Sequence, residues 1–234
     1  MANVPPVVVV MSICFADHVM VPHPRYLFDK GDVDDALAST YACSGLTAYS
    51  ALKKVGELTE GDEVVLIGAG GVGMMALQVA LAQGIKPIVV DIDEAKLEAA
   101  RALGAKAVFN SGDRATVKEI KKLTGGGAFA AIDFVGAEAS VNYGLGCLRK
   151  GGKIIIVGLY GGALNIPLPF IPMNARIIQG TYVGSLQEMG ELMELVRAGR
   201  IAPIRIEERP LDQATQALAD LKAGQVQGRV VLRG

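Results

Sequence analysis

A glycine-rich segment with the spacing G-x-G-x-x-G occupies residues 68–73, directly after the mostly apolar residues 63–67 (EVVLI) and before a longer apolar stretch. Glycine is common, so the spacing alone is weak, but a strand–turn–helix context makes it specific. In that context Gly68 permits a tight turn and Gly70 lets the backbone approach a pyrophosphate. Gly73 lets the helix lie close to the strand. The segment predicts a loop that binds a dinucleotide, and the alternative is a plain glycine-rich turn.

The start of the helix and the end of the next strand supply the other groups that such a ligand needs. Gly71 and Val72 open the helix, where free N–H groups and the positive end of the helix dipole meet the phosphates. Asp91 ends the second strand, 23 positions after the first glycine, where a carboxylate receives the adenosine ribose hydroxyls. Lys96 lies about one helical turn beyond Asp91 and could reach the same ribose. The alternatives are a helix cap for Asp91 and a solvated surface lysine for Lys96.

Alternation of strands and helices predicts the fold that carries these groups. The periodicity favours strands at 63–67, 88–90, 107–109, 130–135, 153–157 and 176–182, and helices at 72–82, 94–103, 115–123 and 139–148. Earlier, Asp32 is expected to cap a first helix, and a second helix covers 46–55. Prolines at 167, 169 and 172 favour an extended stretch, after which helices at 186–198 and 212–223 and strands near 205–208 and 229–232 complete the chain. This order predicts an α/β protein with a parallel sheet covered by helices on both faces.

The composition excludes several classes of function. The 23 Lys and Arg residues balance 24 Asp and Glu, and no basic stripe favours nucleic acid. No apolar run reaches membrane-spanning length, and no Lys or Arg precedes the apolar residues 4–16 as a secretory signal requires. The cysteines, Cys14, Cys43 and Cys147, are far apart, which is typical of a cytosolic protein with reduced thiols.

With these motifs in hand, the sequence resembles the zinc-containing alcohol dehydrogenases of the medium-chain dehydrogenase/reductase family. The resemblance runs from about residue 15 to the C-terminus. The stretches that carry it are residues 15–19 (FADHV), 42–49 (ACSGLTAY), 68–73, 89–93 (VVDID), 133–136 (DFVG), 151–153 (GGK) through 157–158 (VG), and 228–232 (GRVVL). Relative to this family we expect the chain to be N-terminally incomplete.

The resemblance implies a role for several further residues. Cys43 matches the third protein ligand of the family's catalytic zinc, and Thr47 matches a contact to the nicotinamide end. Val135, Val157 and Leu159 match the loops that hold the nicotinamide ring and its carboxamide. Arg229 matches a pyrophosphate-binding arginine, and Ile92 follows the ribose-binding Asp91. The alternatives are a small buried residue for Cys43 and a strand-end surface charge for Arg229.

The sequence also lacks several motifs of this family. The sequence has no Gly-His-Glu motif and no group of four closely spaced cysteines. A catalytic zinc needs three protein ligands and one open position, and Cys43 supplies one. His18, His23 and Cys14 are the other soft ligands, for which surface or structural roles are expected. We therefore expect an incomplete metal site that does not retain zinc.

These observations predict a doubly wound Rossmann domain at residues 46–181, with remnants of a GroES-like catalytic domain at 1–45 and 182–234. The expected function is hydride transfer between a small-molecule alcohol or carbonyl and a nicotinamide cofactor, with NAD(H) preferred over NADP(H). Two alternatives remain open: a catalytically inactive nucleotide-binding module, and a zinc-independent reductase similar to quinone reductases. Residues 153–182 match the family's subunit-joining sheet edge, which predicts a homodimer.

Overall fold

The structure, a computed structural model, describes residues 20–113 and 115–234. The expectations for Cys14, His18 and residues 15–19 lie outside this part of the chain. Its strands are β1 (Val64–Ile67), β2 (Ile88–Asp91), β3 (Ala107–Asn110), β4 (Ala128–Asp133), β5 (Leu148–Ile156), β6 (Ile177–Gly180), β7 (Ile206–Pro210) and β8 (Arg229–Arg233). Its α-helices are α1 (Asp35–Thr40), α2 (Leu46–Lys53), α3 (Gly71–Ala82), α4 (Glu94–Ala102), α5 (Thr116–Leu123), α6 (Glu138–Cys147), α7 (Phe170–Asn174), α8 (Leu186–Arg197) and α9 (Ala214–Lys222).

Six strands form one parallel sheet in the order β3-β2-β1-β4-β5-β6, and β7 and β8 form a separate parallel pair. The order reverses at β1, where β2 lies on one side and β4 on the other. The chain leaves the sheet in opposite directions after these strands, so a crevice opens at their carboxyl ends. The predicted α/β fold with a doubly wound parallel sheet is confirmed.

The apolar runs of the central strands are buried on both faces because helices cover each side of the sheet. Along β1, Val64 and Leu66 pack in the cluster that contains residues of α2 and α3. The alternate residues Val65 and Ile67 pack in the cluster that contains residues of α5 and α6. Successive strand side chains point to opposite faces, so one four-residue strand anchors two hydrophobic cores.

The segment after the sheet packs back onto its first helices. The Tyr49 hydroxyl donates to Glu191 Oε2 at 2.9 Å, and Lys53 Nζ lies 2.7 Å from the same oxygen. These contacts join α2 to α8 across more than 130 residues of sequence. Among the residues described, no helix is both long and apolar enough to cross a membrane.

Two local expectations are wrong, and one element of the structure was not predicted. The cap of α1 is Asp34, not Asp32, and its Oδ1 accepts the N–H of Ala36 at 2.9 Å. A π-helical turn, Tyr41–Gly45, precedes α2 and was not predicted. The proline-rich stretch contains the short helix α7, because a proline tolerates the first turn of a helix, where its missing N–H would have had no partner. Most other element ends differ from the prediction by one or two residues, but β4 lies two residues earlier than predicted and β5 begins five residues earlier.

Candidate functional site

The glycine loop between β1 and α3 has the geometry that its spacing predicts. Gly68 has φ +93°, which favours glycine, and its N–H donates to Val90 O at 2.7 Å. A Cβ on Gly73 would lie 1.8 Å from Gly68 O, so the helix can approach the loop only without a side chain there. A Cβ on Gly70 would meet nothing within 4 Å, which leaves open space at the predicted pyrophosphate position.

The first turn of α3 presents backbone donors toward this open space. The helix begins at Gly71, and the cap residue Gly70 has no side chain to bond the N–H groups of the first turn. The N–H of Met74 donates to Gly70 O at 2.8 Å, so the helical bonding pattern starts there. The N–H groups of Gly71, Val72 and Gly73 precede that bond and are suited to an anion.

Asp91 lies beside the loop at the end of β2. Its Oδ2 accepts the N–H of Ala69 at 2.6 Å, and its Oδ1 accepts those of Ile92 at 2.8 Å and Asp93 at 3.0 Å. The carboxylate is therefore fixed at the mouth of the crevice, where each oxygen retains accepting capacity. The cap of α4 is Asp93, not Asp91.

Two neighbours of Asp91 have different surroundings. Ile92 is 75% exposed and presents a bare apolar side chain at the crevice. Lys96 Nζ lies 3.7 Å from Asp93 Oδ2 and is not paired with Asp91. Asn110, which the sequence did not single out, donates to Ile92 O at 3.2 Å and to Glu94 Oε1 at 2.6 Å. Asn110 thus fixes the turn that carries Ile92.

The residues expected at the nicotinamide end lie at the carboxyl ends of β4 and β5. Val135 and Leu159 are 37% and 78% exposed, whereas Val157 packs partly against the hydrophobic core. A Cβ on Gly68 would lie 2.9 Å from Val135 Cγ2, so this end of the crevice adjoins the glycine loop. Asp133 is fully buried beneath it, and burial raises the pKa of this carboxyl, although bonds from Val135, Gly136 and Ser140 oppose the shift.

Arg229, at the start of β8, lies against the glycine loop. A Cβ on Gly71 would be 2.4 Å from Arg229 Nε, and that nitrogen is buried without a partner among the described residues. Burial lowers the pKa of Arg229. Gly71, Lys96 and Arg229 line one cleft of about 430 Å³. Arg229 is therefore not the strand-end surface charge that we considered as the alternative.

Cys43 occupies the π-helical turn before α2. Its side chain is exposed, so it is not the small buried residue considered as the alternative, while Thr47, about one turn later, is buried. Turns of π-helix frequently occur at functional sites. Arg229 lies near enough to Cys43 for the two side chains to interact electrostatically. The structure thus brings together the glycine loop, Asp91, Val135, Arg229 and Cys43, whereas Thr47 is buried within α2.

A catalytic zinc does not fit the donors that the structure describes. Such a site needs three protein ligands, and within 20–113 and 115–234 no group of three or more His, Cys, Asp or Glu side chains could hold a metal ion. His23 is exposed, and its Nδ1 accepts the N–H of Arg25 at 3.1 Å. Cys43 therefore has no second and third ligand in this part of the chain.

The fold and the loop define a doubly wound Rossmann domain with a glycine-rich βα turn at the point where the strand order reverses. The family model described as zinc-binding dehydrogenase matches residues 71–198, more than half of the chain. The chain belongs to this zinc-binding dehydrogenase family, as its motifs implied.

Curated relatives and solved structures agree with this assignment. The chain is 36% identical over 221 residues to the NAD-dependent alcohol dehydrogenase of Sulfurisphaera tokodaii, a match that covers 93% of this chain and 63% of the relative. It is 38% identical to the protein of the same name from Sulfolobus acidocaldarius, with 94% and 64% covered. The crystal structure of the alcohol dehydrogenase from Aeropyrum pernix superposes with a TM-score of 0.80 at 34% identity, covering 87% of this chain and 60% of that one. The chain thus spans less than two thirds of the length of these proteins.

Proposed function

We propose that this chain binds NAD(H) at its glycine loop and belongs to an oxidoreductase that transfers hydride between a small-molecule alcohol or carbonyl and this cofactor. The observation that carries the proposal is the fixed arrangement of the open Gly70, the first turn of α3 and the Asp91 carboxylate. The names of the two archaeal relatives, both NAD-dependent alcohol dehydrogenases, support it.

The remaining residues take complementary roles in this proposal. Ile92 and Lys96 lie on the adenosine side, Arg229 reaches the pyrophosphate, and Val135, Val157 and Leu159 hold the nicotinamide. Residues 46–181 form the cofactor-binding domain, and residues 1–45 and 182–234 belong to the catalytic domain. A cytoplasmic location is supported by the free thiols of Cys43 and Cys147.

The first prediction concerns the choice of cofactor. A 2′-phosphate would face the Asp91 carboxylate, and two like charges about 4 Å apart cost a few kcal/mol at a surface-like dielectric constant. We therefore expect NADH to bind at least about tenfold more tightly than NADPH. Fluorescence titration with the two cofactors measures this ratio, and equal affinities would contradict the role of Asp91.

Matched variants test the charge of Asp91. Asp91→Asn removes the charge together with one of the two accepting oxygens, so we expect most of the preference for NADH to disappear. Glu98→Gln removes a charge from the exposed face of α4, where Glu98 pairs with Arg101 and not with a residue of the proposed site. This control should leave the ratio unchanged, and an equal effect of both variants would show that Asp91 has no specific role.

The second prediction concerns metal. We propose that this chain holds well under one zinc ion per molecule and oxidises alcohols poorly, because Cys43 is one matched ligand where three are needed. Elemental analysis after zinc loading and dialysis measures the content, with Cys43→Ser as the control that should not change it. Stoichiometric zinc that disappears in Cys43→Ser would refute the prediction and favour a complete zinc site.

The same measurements distinguish the alternatives. Cofactor binding without turnover of alcohols or quinones favours a catalytically inactive nucleotide-binding module. NADH-dependent reduction of a quinone by the zinc-free protein favours a zinc-independent reductase. We further propose a homodimer that forms through the sheet edge within residues 153–182.

A further inference from the structure

Asp133 is the last residue of β4 and a buried acid that the proposed function does not yet use. Its side chain has 0% exposure, and the partners of its carboxylate lie in the turn that follows the strand and in the first turn of α6. Oδ1 accepts the N–H of Val135 at 2.9 Å, and Oδ2 accepts the N–H of Gly136 at 3.1 Å. The Ser140 hydroxyl donates to Oδ2 at 3.0 Å from the first turn of α6.

The main chain of the same residue holds the neighbouring loop. Asp133 O accepts the N–H groups of Val157 at 2.9 Å and of Gly158 at 3.0 Å, directly after β5. One residue therefore bonds both loops at the carboxyl ends of two adjacent strands. The side-chain bonds hold the turn after β4, and the main-chain bonds hold the loop after β5. Loss of the side-chain bonds alone would therefore release the turn after β4 and leave the bonds to the other loop in place.

The two loops also touch each other through their backbones. A Cβ on Gly158 would lie 2.0 Å from Val135 C, and a Cβ on Gly136 would lie 2.0 Å from Gly158 O. The N–H of Tyr160 donates to Val135 O at 3.2 Å. We call this joined surface, formed by Val135, Gly136 and residues 157–159, the loop platform. Its outward side chains, Val135 and Leu159, are exposed.

The chemistry of Asp133 indicates a role other than packing in the hydrophobic core. Burial of a carboxylate is costly unless several donors satisfy it, and an apolar residue would pack at the end of β4 without that cost. Two of the three donors that satisfy Asp133 are successive main-chain N–H groups, so the carboxylate dictates the path of the turn. Charge-assisted bonds of this kind are stronger than neutral ones.

We propose that Asp133 is a positioning residue that fixes the loop platform on which the nicotinamide half of the cofactor rests. This inference rests on the proposed function, because the platform lies next to the glycine loop that would hold the pyrophosphate. Asp133 touches no ligand itself and acts through Val135 and Gly136. Its contribution is therefore confined to the nicotinamide end, and the adenosine end depends on Asp91 and the glycine loop.

The test compares NADH with ADP-ribose, which contains the adenosine and both phosphates but no nicotinamide. In Asp133→Asn one side-chain oxygen becomes an amide group that cannot accept the N–H of Gly136. We expect calorimetric titration to show NADH affinity about tenfold lower and ADP-ribose affinity unchanged within about twofold. The fluorescence enhancement of bound NADH, which reports the surroundings of the nicotinamide ring, should also fall.

Asp62→Asn is the matched control. Asp62 is likewise a nearly buried carboxylate, whose Oδ2 accepts the N–H and hydroxyl of Thr59, both at 2.8 Å, and whose Oδ1 pairs with Arg149 at 2.7 Å. It precedes β1, at the opposite end of the sheet. We expect its replacement to lower the thermal stability and to leave the ratio of NADH to ADP-ribose affinity unchanged.

Each outcome decides between the two proposals. A wild-type chain that binds neither NADH nor ADP-ribose overturns the proposed function and the positioning role with it. A wild-type chain that binds both, with Asp133→Asn weakening both equally or neither, overturns the positioning role alone. If Asp133→Asn does not fold, Ser140→Ala decides, since it removes one of the three donors. A loss of about threefold for NADH alone supports the proposal, and an equal effect on both ligands or none contradicts it.

Discussion

Replacement of Gly73 by alanine is expected to abolish NADH binding and to destabilise the fold. The added methyl group would lie 1.8 Å from Gly68 O and 2.9 Å from Gly68 C, and neither atom can rotate away as a side chain can. Overpacking of this severity costs about 3 kcal/mol or more of the free energy of unfolding. The loop must move to relieve it, so we expect NADH affinity to fall by at least about a hundredfold.

Gly70→Ala separates binding from stability at the same loop. Gly70 has φ −73° and ψ −171°, which alanine adopts readily, and its Cβ would meet nothing within 4 Å. We therefore expect the free energy of unfolding to change by no more than about 1 kcal/mol. The methyl group would occupy the space proposed for the pyrophosphate, so NADH affinity should fall at least about tenfold. Denaturant unfolding and fluorescence titration measure the two quantities.

The control for both variants is Gly190→Ala in α8. A Cβ there would come no closer than 3.9 Å to Phe28 Cε1, and the position is helical, so alanine should stabilise the chain by about 0.5–1 kcal/mol. NADH affinity should not change. Wild-type affinity in Gly70→Ala would show that the ligand does not approach this backbone, and wild-type behaviour of Gly73→Ala would disprove the close packing of α3 on the loop.

The sequence alone was sufficient to predict the main sheet, because that prediction depends on local patterns. The runs that form β1 and β2 are continuously apolar, and the helix that follows each strand ends at a glycine or polar turn. The π-helical turn Tyr41–Gly45 could not be predicted in this way. The sequence of this segment continues an apolar helical pattern. Whether the turn contains an extra residue depends on how the neighbouring residues pack.

The residues of the candidate site were likewise predictable only where the signal is local in the sequence. The glycine spacing was recognisable because a single strand–turn–helix unit contains it. Asp91 was recognisable because it ends the strand that follows this unit. The contact between Arg229 and Gly71 joins residues 158 positions apart, and it forms only when the chain end returns to the sheet. The sequence analysis assigned no role to Asp133, since the importance of this residue comes from its bonds to two loops. An acid at a strand end, two residues before a Val-Gly pair, is the feature that could have identified it.

The edge of the sheet at β6 supports the proposed homodimer. β6 pairs with β5 on one side only, and the structure shows no strand of the described chain on the other side. Ile177, Tyr182 and Leu168 are 47%, 62% and 80% exposed around this edge. An apolar edge of this kind invites pairing, and closed two-fold pairing is the commonest way to satisfy it. Association through other apolar surfaces would instead give larger species.

Ile178→Pro is expected to convert the dimer to a monomer. The N–H of Thr181 donates to Ile156 O, and donors alternate along a strand, so the N–H of Ile178 points away from β5 toward the free edge. Proline at this position removes one outward donor and keeps the bonds to β5. Because a two-fold interface contains the change twice, we expect the dissociation constant to rise by at least about a hundredfold. Light scattering over a range of micromolar concentrations measures the mass.

Leu168→Glu and Leu123→Glu provide the side-chain test and its control. Leu168 lies in the segment proposed for the interface, whereas Leu123 is 44% exposed at the end of α5. Ile166 lies in the same segment but packs partly against the hydrophobic core, so a charge there would disturb the fold itself. We expect Leu168→Glu to weaken the dimer and Leu123→Glu to leave it intact, with both variants retaining the circular dichroism of the wild type. A wild-type monomer, or a dimer that survives both Ile178→Pro and Leu168→Glu, would show that the subunits do not join at β6.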